Sequence, residues 1–174
     1  MIDRLSEIDH FLQINAHIAT AGQPNAFQFG LIKAANYDTI INLALSNSTN
    51  ALADESAVVK SAWMEYLHMP VLWDRPALAD FEFFCQIIKR KQNKRLFIHC
   101  AKNMRVSVFI YLWRRIHNHV PHLEAQATLE KIWIPNPTWQ AFIQHVLEHH
   151  GISDRSSYQS LQESPQGSSQ QSPQ

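Results

Sequence analysis

The run Arg95-Leu96-Phe97-Ile98-His99-Cys100-Ala101-Lys102-Asn103-Met104-Arg105-Val106-Ser107 carries the residue types from which a nucleophilic anion site is built. An apolar stretch ends at His99-Cys100, a short polar loop follows, and a helical pattern begins near Val106. A cysteine so placed faces a helix N-terminus, where unpaired backbone N–H groups and the positive end of the helix dipole favour both a bound oxyanion and the thiolate. Arg105 adds a planar, permanently charged fork suited to a tetrahedral anion. Ser107 is expected to hydrogen-bond the Cys100 sulfur and help it leave after a covalent step. Asn103 falls where the loop must turn sharply, and Asn is the commonest non-glycine residue at positive φ. The bland alternative is a strand ending on an inert buried cysteine. The order strand, His-Cys, short loop, Arg, Ser, helix is more specific than that.

Such a loop needs a buried strand before it and a helix after it, and the chain supplies both within an alternating pattern. Strands are expected at 18–21, 38–45, 66–71 and 95–99, the last as the central strand. Helices are expected at 27–35, 54–64 with a cap near Asp54, 81–91 capped by Asp80, 106–118, 122–133 and 138–149. This order predicts an α/β fold, a mostly parallel sheet flanked by helices, with an all-helical C-terminal third. The domain is expected to span 1–151, and 152–174, which reads as Ser, Gln and Pro with few apolar residues, a disordered tail.

The loop resembles the His-Cys, five residues, Arg, Ser/Thr loop of the protein tyrosine and dual-specificity phosphatases. Four residues instead of five separate Cys100 from Arg105, so in an ungapped alignment Val106 takes the place of their arginine and Ser107 falls on their Ser/Thr. A closer resemblance runs through Ala21-Gly22-Gln23-Pro24, Thr39-Ile40-Ile41-Asn42-Leu43, His68-Met69-Pro70-Val71 and His99-Cys100 to Arg105. These segments look like the bacterial phosphatase-like family DUF442, once grouped beside beta-lactamase-like hydrolases. Its fold is a compact tyrosine-phosphatase-like one, and its loop reads His-Cys, two residues, usually Gly, one residue, Arg-Ser. Here Asn103 replaces the Gly and Val106 precedes Ser107.

The resemblance implies in-line attack of Cys100 on a phosphate monoester, with a thiophosphoryl intermediate and no cofactor. The phosphate would be held by 101–107, that is Ala101, Lys102, Asn103, Met104, Arg105, Val106 and Ser107. It also points to Asp74, in the Trp73-Asp74-Arg75-Pro76 loop, as the general acid that related phosphatases carry on a mobile loop. Asp80 is the alternative acid, although a capping role suits it better. Cys85 is a possible disulfide partner for Cys100 on oxidation, with core packing the preferred reading. The Gly22-Gln23-Pro24 turn has a sufficient backbone explanation and is assigned no chemistry.

Composition narrows the class. The 174 residues carry 15 Lys plus Arg against 15 Asp plus Glu, so no global field draws the chain to nucleic acid or anionic membranes. Two cysteines cannot build a secreted disulfide framework, and no stretch approaches the roughly 18 apolar residues of a membrane span, so a cytoplasmic protein is expected. The partner is expected to be a phosphorylated protein or small molecule, while the oligomeric state is open. Ten histidines include His117-Asn118-His119 with His122, and His149-His150, but their spacing lacks an i, i+4 pair plus a clear third ligand, so no metal is expected. Trp113, Trp133, Trp139 and Phe142 read as core. Two rival functions remain: a rhodanese-like sulfurtransferase, whose loop also has four residues between Cys and Arg, and a catalytically silent phosphate-binding module.

Overall fold

A computed structural model describes residues 2–152. The expected tail at 152–174 lies, from residue 153 on, outside the described residues. Five strands form one sheet in the order β1-β2-β5-β3-β4: β1 (Leu12–Gln13), β2 (Ile18–Ala21), β3 (Thr39–Asn42), β4 (Glu65–His68) and β5 (Leu96–His99). All neighbours run parallel except the antiparallel pair β1 and β2. Strand β5 is therefore central, as its apolar sequence requires, with every residue buried. Strand β1 has too few residues to show a period and was not expected from the sequence.

The two-residue period of the strands divides the interior into two layers. Leu96 and Ile98 of β5 join Ile18 and Ile41 in a core completed by α3 (Leu78–Arg90), α4 (Met104–His117), α5 (His122–Leu129) and α6 (Pro137–His149). Phe97 faces the other way, with Ala19, Ala21 and Ile40, against α1 (Ala26–Ala34) and α2 (Glu55–Ser61). Each fully buried aliphatic side chain contributes about 1.5–3 kcal/mol. Continuing this alternation sends His99 to the α1 and α2 layer, where its ring meets Phe29 edge-on at 6.1 Å. Cys100 falls in the opposite layer, among the residues of α3 and α4.

Several boundaries differ from expectation for local reasons. Helix α3 starts at Leu78, and Asp80 is its third residue, accepting the Ala77 N–H at 3.0 Å instead of standing at the cap. Asp54 precedes α2 in the left-handed region, φ 52°, without a side-chain capping bond. Helix α5 stops at Leu129, four residues short of Trp133. Asn136 caps α6 by accepting from the Trp139 N–H, with Pro137 as the first helical residue, and this seats Trp139 in the core. No helix among the described residues is long and apolar enough to cross a membrane.

Candidate active site

The loop from Cys100 to Asn103 joins β5 to α4, and its backbone is fixed from outside. The Ala101 carbonyl accepts from the Gln23 N–H at 3.2 Å and from Asn50 Nδ2 at 2.8 Å. Gly22 bridges Lys102, and a Cβ on Gly22 would lie 3.0 Å from Asp9 Oδ2 and 3.1 Å from the Ala101 carbonyl, so no side chain fits between the turn and the loop. Asn103 takes φ 60°, the left-handed conformation expected of it. Its side-chain amide donates to the His10 carbonyl at 2.8 Å and to Thr20 Oγ1 at 2.9 Å. These bonds replace the freedom of a glycine with a specific anchor.

The Asn103 N–H faces the Ala21 carbonyl across the Gly22–Lys102 bridge, whereas the N–H groups of Met104, Arg105 and Val106 donate to no described protein group. Ser107 is the first whose amide closes a helical bond, to Asn103 O at 2.8 Å. Unpaired amides at the start of α4 are the donors that a helix end offers to an anion.

Arg105 is only 8% exposed, and its buried Nε has no hydrogen-bond partner. Its guanidinium carbon stands 5.4 Å from the centre of the Trp73 ring. Trp73 packs in turn against Trp133 and Trp139 at 5.3 and 5.5 Å, and its carbonyl accepts from Trp139 Nε1 at 3.0 Å. This tryptophan cluster ties the loop that carries Asp74 to Arg105. Asp74, the next residue along the chain, is exposed. Trp133 and Trp139, expected as core, meet Trp73 only in space, so the cluster they form beside Arg105 has no signal along the chain.

Ser107 does not bond the Cys100 sulfur as expected. Its hydroxyl donates to Met104 O at 2.8 Å and accepts from Trp133 Nε1 at 3.1 Å. The early end of α5 leaves Trp133 free to reach back to the first turn of α4. Lys102 is exposed, and Val106 is buried.

Beneath the loop lies a polar cluster the sequence did not reveal. His99 Nε2 is 2.8 Å from Glu55 Oε1, with both side chains buried. Glu55 also accepts from Gln23 Nε2 at 2.7 Å and from Asn42 Nδ2 at 3.2 Å. Asn42 Nδ2 reaches the Tyr66 hydroxyl at 3.2 Å, and Asn42 Oδ1 accepts the Ala44 N–H at 2.7 Å. Burial pushes the Glu55 carboxyl upward, but the hydrogen bond and charge of His99, with the bonds of Gln23 and Tyr66, more than offset it and leave its pKa below the usual value. Burial and the nearby Glu55 push the Tyr66 phenol up to about 12. Gln23, expected to do no more than form a turn, thus touches both the loop backbone and the buried carboxylate.

Cys100 itself has no exposed surface. Cys85 is also a free, buried thiol, pushed up to about 12 by burial and the charge of Glu82, so its environment favours the inert thiol.

Comparison with known proteins agrees with this architecture. The family described as DSP-PTPase phosphatase fused to NAD+ kinase matches residues 9–141. A DUF442 phosphatase-like protein from Shewanella putrefaciens CN-32 superposes with a TM-score of 0.78 at 30% identity, covering 86% of this chain and 99% of its own. Tk-PTP in its active form gives 0.68 at 15% identity, over 80% of this chain and 97% of its own. PTPMT1, solved in complex with PI(5)P, gives 0.68 at 17%, over 82% and 97%. At these last two identities the likeness is one of fold. No curated protein sequence matches the chain.

Proposed function

Because this chain belongs to the PTP-NADK and DUF442 group of tyrosine-phosphatase-like proteins, we propose that it hydrolyses a phosphate monoester through a phosphorylated Cys100. One observation carries this reading: Arg105 is only 8% exposed and its buried Nε has no partner among the described residues, beside the amides of Met104, Arg105 and Val106, which donate to no described group at the start of α4. A buried charge left unpaired costs several kcal/mol, and a dianion seated on the loop would relieve that cost. In this reading the Cys100 thiolate attacks phosphorus, the P–O bond to the leaving group breaks, and the amides with Arg105 hold the equatorial oxygens. Asp74 gives the departing oxygen its proton and then takes one from a water that attacks phosphorus, the P–S bond breaking as Cys100 leaves as the thiolate and inorganic phosphate is released. Attack needs sulfur and phosphorus about 3–3.5 Å apart. Since Cys100 is fully covered, turnover includes a shift of the loop or of Trp73 that admits the phosphate.

That same coverage, with Ser107 bonded away from the sulfur, favours a second reading: a module that binds phosphate without turning it over. Hydrolysis of p-nitrophenyl phosphate and thermal melting in inorganic phosphate separate the two. The phosphatase reading expects turnover that falls to background in Cys100→Ser, while phosphate raises the melting temperature of both proteins. A phosphate-induced shift with background turnover in the native chain establishes the binding module instead. Thiosulfate:cyanide transfer without phosphate hydrolysis would overturn both in favour of the sulfurtransferase.

A further inference from the structure

At the far end of the helical layer, Glu82 on α3, His149 in the last turn of α6 and His150 just beyond it converge, each presenting one ligand atom within 4.8 Å of the others. We propose that these three side chains form a binding site for a divalent transition-metal cation of the Zn2+ class, which clamps the end of α6 to α3.

Donor chemistry sets the class of ion. Two imidazoles and one carboxylate suit zinc and its neighbours, whereas magnesium and calcium take oxygen ligands. Zinc bonds of about 2.0–2.2 Å to N and O in a tetrahedron place ligand atoms roughly 3.3 Å apart. The Glu82 Oε1 to His150 Nε2 separation is 2.9 Å, so a metal opens that pair by a few tenths of an ångström and draws His149 in.

The site is also prepared by its surroundings. His149 and His150 stand at the C-terminal end of α6, where the helix dipole is negative and favours a cation. The His150 ring is held edge-on by Phe81 at 6.2 Å and by His149 at 5.2 Å. His117, at the end of α4, lies 6.4 Å from His150 and stacks on Trp113 at 4.3 Å. An ion pair between Glu82 and His150 accounts for two of the three groups. It leaves His149, exposed and bonded to neither, with a ring contact alone among the described residues. The spacing of the histidines in the sequence hid the set because the carboxylate comes from α3, far along the chain.

The test is titration of the chelator-treated full chain with Zn2+ against a chromophoric competitor, together with Co2+ absorption. The expected result is one equivalent bound and a higher melting temperature. Affinity falls at least tenfold in Glu82→Gln and in His149→Ala. The latter changes an exposed side chain, and circular dichroism confirms that both variants fold. Cobalt is expected to show weak ligand-field bands without a thiolate charge-transfer band, unchanged in Cys85→Ser and Cys100→Ser. Absence of stoichiometric binding would overturn the site, as would binding that survives both ligand substitutions. A thiolate band that disappears with either cysteine would place the ion elsewhere and refute it equally.

Discussion

Glu55 and Arg105 are both charged, both almost without exposed surface, and lie on opposite faces of the sheet, one beneath the Cys100 loop and one at its side. Glu55 accepts from His99, Gln23 and Asn42. Arg105 rests on Trp73, and its buried Nε has no partner among the described residues. A buried charge whose bonds are completed by the protein holds a fold together, whereas one whose bonds are left open is set toward something the protein does not contain. The loop joins the two regimes: its carbonyl at Ala101 is taken up by Gln23 and Asn50, and the amides of Met104, Arg105 and Val106 that follow it donate to no described group.

The strongest way to break this contrast is to remove each charge in turn. Arg105→Met is expected to lower phosphate hydrolysis by about 10³ and to abolish the stabilisation by inorganic phosphate, since a buried anion clamp is worth about that much to a transition state. The fold should keep or gain stability, because an unpaired buried charge is replaced by an apolar chain of similar length. Loss of the fold in this variant would mean that Arg105 serves the structure. Glu55→Ala is expected to do the reverse: it strands His99, Gln23 and Asn42, costing roughly 3–5 kcal/mol. For a domain of this size that lowers the melting temperature on the order of 10 °C. Residual folded protein should still be stabilised by phosphate, and thermal melts with and without the ion check both halves.

Asp74 sharpens the comparison at smaller amplitude. It is exposed, so Asp74→Asn should leave stability within about 0.5 kcal/mol. Turnover should slow by about 10², with the larger effect on substrates whose leaving groups are poor, because those depend most on a proton donor. An Asp74→Asn chain with native turnover on such substrates would remove Asp74 from the mechanism and bring Asp80 back into question, although its bond to the Ala77 N–H already gives that carboxylate a helix-starting role.

What the sequence disclosed follows from which groups are neighbours along the chain. The strand, His99-Cys100, the Asn103 turn and the start of α4 are consecutive, so their order alone states how they fold, and the positive φ at Asn103 is the expected one. Glu55, Asn42 and Gln23 lie far from His99 in sequence. Only the register that sets Asn42 and Ala21 beside His99 brings them together. In the sequence Glu55 reads as an ordinary first-turn helix glutamate. The expected bond from Ser107 to the sulfur fails because Trp133, beyond the end of α5 at Leu129, reaches back to the Ser107 hydroxyl, a contact that no spacing along the chain announces. The four-residue loop was legible, but the tryptophan platform under Arg105 was not, since Trp73, Trp133 and Trp139 follow no common period.

The smallest expected effect is the pH dependence of the underside. The folded-state pKa of Glu55 lies below the ordinary carboxyl value of 4.5. An unfolded chain therefore takes up the proton first as pH falls, and stability rises with pH across that interval. The contribution of Glu55 is fully present above its unfolded pKa of 4.5 and is lost as pH falls through the folded value. Melting temperatures of the native chain and of Glu55→Gln, taken from about pH 6 to about pH 3, should differ most at the upper end and converge in acid. Arg105→Met leaves the bonds of Glu55 to His99, Gln23 and Asn42 in place, so its curve should run parallel to the native one. If the Glu55→Gln curve instead runs parallel to the native one, the buried carboxylate is not held ionised by His99 and its partners, and the contrast between the two faces loses its electrostatic half.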